Sequence, residues 1–168
     1  MNLEKWIADY IIELNLCPFA AGTLKGKKWK VKELDFKDYQ AIEELFYDFL
    51  KEDLNVVETY FITSDQLDSW EDFLFYFHFV EELTNEIATF NAIKIVGFHP
   101  EYRHGEVEQE AIHFSNRAPW PLIQLLNVED VHKRTALMDV DKVLEDNELT
   151  LKGVPIEELQ KKLDDSKG

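Results

Sequence analysis

A single cysteine among 168 residues leaves no partner for an internal disulfide and no cysteine-rich zinc site. Glycine is scarce, with six in all, and none stands in a phosphate-cradling or dinucleotide-binding arrangement. No His-Glu-x-x-His pair is present, and these motifs name no cofactor. Bases are outnumbered, 18 Lys and Arg against 34 Asp and Glu, for a formal charge of −16. Binding to nucleic acid through counterion release needs clustered cations, as does docking on an anionic membrane, so neither is expected. No apolar run approaches the roughly 20 residues of a membrane span. The first ten residues, MNLEKWIADY, carry Glu4 and Asp9 and no small-residue cleavage site, unlike a secretory signal. The expectation is a soluble cytoplasmic protein.

Against these absences stands a large apolar fraction. Hydrophobic residues make up 45% and aromatics 13%, enough to build a core despite the charge. The length suits one globular domain, read as residues 1–163, with 164–168 as a flexible tail. Charge is unevenly placed. Six lysines fall between Lys25 and Lys37, whereas Asp38 to Asn91 holds fourteen acids and one base, Lys51. Solvated helix faces and a lysine-guarded edge strand account for this. A basic entrance for an anionic ligand, or an acidic face for a basic protein partner, would account for it too.

Periodicity defines most elements. Leu3, Trp6, Ile7, Tyr10, Ile11 and Leu14 recur at helical spacing, predicting a helix over 3–16 that Pro18 ends. Residues 28–33 alternate lysine with Trp29, Val31 and Glu33, as an edge strand does. Tyr39 to Leu50 reads as a helix, Val56 to Thr63 as a strand. Ser69 with Asp72 forms a capping box for a helix whose stripe includes Trp70, Phe73 and Phe77; His78 on that helix reads as half-buried. Ala92 to Phe98 is the best central strand. Pro121 suits the first position of a helix through Leu126, followed by helices over 128–138, 140–147 and from Pro155 onward. The fold class is therefore α/β, a small sheet of three or four strands with alternating helices and several short C-terminal helices. An α+β sandwich with an antiparallel first strand is the alternative.

Residues 99–118 sustain neither period. A segment of that length without regular structure is commonly functional, and ligand crevices in α/β sheets lie beyond strand carboxyl ends. It carries His99, Tyr102, Arg103, His104, His113, Asn116 and Arg117. The spacing of its histidines and glutamates is too irregular to predict a metal site. Cys17 is the second candidate. At the end of a helix it would face the negative dipole and stay a thiol; at the start of a new turn at Pro18 it would gain thiolate character. A packed, slowly reacting thiol is the expectation.

The strings LNLCPFA near the N-terminus, FHPEY after a strand, and Asn116-Arg-Ala-Pro-Trp-Pro-Leu122 resemble the three hallmarks of a mainly bacterial family known only as domain of unknown function 1415. The resemblance spans residues 3–150. Ala118 stands where the family has serine, Trp120 where it has tyrosine, Asn127 near a common arginine, and Phe114 where an asparagine is usual. No reaction carries over from the family. What the resemblance implies is a shortened list, Cys17, Pro18, His99, Tyr102, Arg117, Pro119 and Pro121.

The site reading that follows places Cys17, His99 and Arg117 as reacting groups at the carboxyl end of the third strand, with Tyr102, Arg103 and Asn116 as ligand contacts. His99 and Arg117 are expected to line one concavity. There the N-terminus of a helix at Pro121 would join Arg117 in holding a small anionic ligand. The competing reading is a non-enzymatic interaction module.

Overall fold

A computed structural model describes residues 1–168. Four strands form one mixed sheet in the order β1-β2-β4-β3. These are β1 (Trp29–Glu33), β2 (Thr59–Thr63), β3 (Ile93–Phe98) and β4 (Leu122–Asn127). β1 pairs parallel to β2, which settles the alternative in favour of α/β; β4 runs antiparallel to both β2 and β3. The lysine-rich β1 is at an edge, where its charges deter pairing with another chain.

Helices cover both faces. On one lie α3 (Tyr39–Leu50), N-capped by Asp38, and α4 (Trp70–Glu86), N-capped by Ser69 as expected. On the other lie α1 (Leu3–Trp6), continued as a π-helical segment Ile7–Ile12, together with α7 (Val140–Lys152) and α8 (Ile156–Asp165). Side chains alternate along each strand, so the sheet feeds two separate cores. Tyr60, Ile62, Ile93, Ile123 and Leu125 pack toward Phe46 and Phe73. Phe61, Phe98 and Leu122 pack toward Trp6, Leu151 and Leu159. Gly97 is needed on the α4 side. A Cβ there would stand 2.8 Å from Phe73 Cζ and 3.0 Å from Phe77 Cε2, so the bare backbone lets both rings lie against β3.

Several expectations need correction. The stretch after Pro121 is no helix; it is β4, bonded on both sides. Its Leu122, Ile123 and Leu125 are fully buried, so a short continuous apolar run marks an interior strand. The N-terminal helix stops before residue 16. Asn15 adopts the left-handed conformation (φ 54°), and Leu16 N–H donates back to Ile11 O at 2.9 Å, so the chain turns three residues before Pro18. A further helix, α2 (Ala20–Gly26), was not anticipated. α5 (Glu110–His113) punctuates the 99–118 segment. α6 (Val128–Thr135) is N-capped by Asn127 and stops short of the expected 138, and α7 extends to Lys152, past the expected 147. His78 is largely exposed, facing Glu81 at 3.5 Å. Beyond α8, Ser166 is fully buried and its hydroxyl donates to Leu163 O. No helix is long and apolar enough to cross a membrane.

Candidate functional site

The face of the sheet turned to α1 is not fully filled. A cavity of about 610 Å³ remains there, within the range of small-molecule sites. Its floor is Phe61, Val96, Phe98, Gln124 and Leu126; one wall is Trp6, Ile7 and Ile11, the other Leu144 and Leu151 of α7. Ile7 and Ile11 belong to the π-helical segment, a conformation that often marks functional positions. Cys17 and Phe19, in the turn before α2, also border it. The cavity runs from the amino end of β2 to the carboxyl half of β3, a wider span than the crevice expected beyond β3 alone.

Polar groups stand at both ends. At one, Glu58 receives Thr23 Oγ1 at 2.8 Å, Lys28 Nζ at 2.8 Å and Arg134 Nη2 at 2.6 Å; Arg134 Nε also meets Asp130 at 2.7 Å. Burial alone would raise the Glu58 pKa, but the hydrogen bonds from Arg134, Lys28 and Thr23 outweigh it and hold the carboxyl at about 2. At the other end His104 Nε2 lies 2.8 Å from Ser115 Oγ, which lies 3.0 Å from Asn116 Oδ1; Asn116 Nδ2 donates to Gly97 O at 2.9 Å. In the middle of the floor Gln124 sits between Phe61 and Val96, a half-buried amide on an otherwise apolar surface.

Of the residues expected from sequence, Cys17 and Asn116 border this cavity. Cys17 is half-buried against the α1-side core and precedes a turn whose Ala20 N–H reaches Cys17 O at 3.2 Å. It neither ends the first helix nor caps the next, so neither dipole argument applies to it.

Neither His99 nor Arg117 borders this cavity, and their side chains pack on different sides of the sheet. His99 is 2% exposed and packs on Trp70 (5.4 Å) and Phe73 (5.1 Å), on the α4 side of the sheet. Arg117 lies over the Phe114 ring at 4.1 Å, within the α1-side core, and its nearest carboxylate oxygen, on Glu110, is 3.8 Å away. The physical reason for the split is β4. An interior strand after Pro121 replaces the helix whose N-terminus was to gather the two side chains. Tyr102 follows His99 to the α4 side, its edge against Trp70 at 5.4 Å, and Arg103 is exposed.

His99 has a structural task. Glu101 N–H donates to its Nδ1 at 3.0 Å, so the ring proton is on Nε2, which donates to Asp68 O at 3.3 Å. The imidazole thereby ties the end of β3 to the turn before α4. Burial holds its pKa below the ordinary value, and the same cause acts on His104 and His113. Because the folded pKa values are depressed, the unfolded chain binds protons first as pH falls. The stabilisation from the neutral rings is complete above about pH 6.5 and is lost as pH drops through their folded pKa values. Urea unfolding at pH 7.5 and 5.5 is expected to give a lower midpoint at 5.5, with part of that fall absent in His99→Gln. An identical pH response in the variant would refute the neutral, bonded role of His99.

Fold and cavity together define a three-layered α/β protein with an apolar cleft on one sheet face. The family model described as "Protein of unknown function (DUF1415)" matches residues 1–161, and the chain belongs to that family. No curated protein matches the chain, and no solved structure does. Sequence reasoning did not single out Ser115 or Gln124. The one available signal was Gln124 itself, a lone amide inside the run Leu122-Ile-Gln-Leu-Leu126.

Proposed function

We propose that the protein binds a small, largely apolar molecule in the cavity between the sheet and α1. The observation that supports this most is the cavity itself, about 610 Å³ of space walled by side chains that a folding core would ordinarily close over. Its lining combines aromatic and aliphatic groups with a few convergent polar ones, the composition of small-molecule sites in general. The cation in its lining, Arg134, is already matched by Glu58 and Asp130. That pairing shifts the reading from an anionic ligand to an apolar body with a polar edge, met by Gln124 and by the His104–Ser115–Asn116 end. Cys17 and Phe19 stand at the boundary of the cavity as contacts for the ligand rather than as a reacting centre.

The test is uptake of an apolar fluorophore such as anilinonaphthalene sulfonate by the native protein. Emission should rise with saturation, with energy transfer from Trp6 in the cavity wall. Val96→Trp fills the floor and should abolish the rise while leaving the circular dichroism unchanged. Equal uptake by wild type and Val96→Trp, or none by the wild type, would count against this reading.

A further inference from the structure

We propose that Ser115 and His104 form a nucleophile and base pair that accepts an acyl group from an ester or thioester whose apolar acyl part occupies the cavity. This rests on the cavity reading above. Both side chains border the cavity, and the 2.8 Å between Ser115 Oγ and His104 Nε2 is the separation that proton transfer from a hydroxyl to an imidazole requires. The imidazole is held in place. Its backbone N–H donates to His113 Nδ1 at 3.1 Å, and its ring lies between Tyr102, edge-on at 4.9 Å, and His113, stacked at 6.1 Å. Asn116 is a positioning residue. Anchored to Gly97 O through Nδ2, it directs Oδ1 at Ser115 from 3.0 Å. The hydroxyl therefore has one proton and two acceptors within reach. When the ring proton of His104 is on Nδ1, rotation about the Ser115 Cβ–Oγ bond delivers the hydroxyl proton to Nε2.

The chemistry balances without a cofactor. Ser115 Oγ bonds to the carbonyl carbon as His104 Nε2 takes the hydroxyl proton. The bond from that carbon to the leaving alcohol or thiol then breaks, and the leaving group departs with the proton from His104. Water cleaves the acyl-serine, losing one proton to His104, which returns it to Ser115 Oγ. An apolar acyl group lies on Phe61, Val96 and Phe98, with its carbonyl at the polar end of the cleft.

An alkyl fluorophosphonate tests the pair directly, since Ser115 Oγ would displace fluoride and keep the phosphorus. One label per chain is expected, located by peptide mass at Ser115 and absent in Ser115→Ala. In His104→Gln, which keeps a hydrogen-bonding side chain, the labelling rate should fall by about 100-fold, the lower range for a lost general base. Both variants should keep the circular dichroism and the urea midpoint of the wild type, which shows that the fold persists. No label on Ser115, label spread over other residues, or an unchanged rate in His104→Gln would overturn the proposal. Failure of the wild type to take up the fluorophore would instead remove the cavity reading, whatever Ser115 does.

Discussion

Replacing Phe73 by Ala is expected to cost about 3–5 kcal/mol, with a fall in Tm of roughly 6–20 °C. Phe73 is 1% exposed and lies at the centre of the α4-side core. Its ring stacks with Trp70 at 5.5 Å and Phe77 at 5.8 Å, and His99 packs on it at 5.1 Å. It also rests against the bare backbone at Gly97. Truncation removes the ring from all of these at once, and neither the strand nor the helix can close the gap without moving the other. Chemical denaturation with an unchanged m-value measures the loss. A cost under about 1 kcal/mol would show that α4 does not depend on this contact.

The second large effect concerns the charged end of the cleft. Glu58→Ala should destabilise the fold by about 3 kcal/mol, the lower range for breaking a buried pair, because Lys28 and Arg134 keep partial access to water. Glu58 joins four pieces of the chain, namely α2 through Thr23, the residue before β1 through Lys28, the start of β2, and α6 through Arg134. Its carboxyl is held at about 2, below its ordinary 4.5. Its contribution is therefore present above pH 4.5 and lost as pH falls toward 2. Wild-type stability should drop through that window, and Glu58→Ala should show a shallower drop. Parallel profiles would contradict the assignment.

Much of the architecture was legible because local pattern and tertiary role agreed. The stripe on α4 and its Ser69 cap, the alternation along β1 and the β-branched β2 each carry their own period. β4 does not. Its six residues read equally well as a short helix after Pro121, and what makes them a strand is pairing with β2 and β3, whose residues lie some 25 to 65 positions earlier in the chain. That one element also misplaced the site. With a helix at 121, His99 and Arg117 converge; with a strand there, they separate to opposite faces. The 99–118 segment was marked from sequence, and it does supply His104, Ser115 and Asn116 to the cleft. Which of its polar residues face the cavity depends on α1 and α7 packing over the sheet, and no local spacing encodes that. Cys17 was marked by residue type and family resemblance, and it borders the cleft through a turn that the Pro18 rule did not specify.

Binding of a small molecule on the α1 face of the sheet is open to direct measurement. Titration of isotope-labelled protein with small aromatic and alkyl fragments, followed by backbone amide shifts, tests it most directly. Saturable shifts concentrated at Ile11, Phe61, Val96 and Gln124 are expected, with their loss in Val96→Trp. Shifts confined to the acidic α3 and α4 surface, or no saturable shift at all, would contradict such binding.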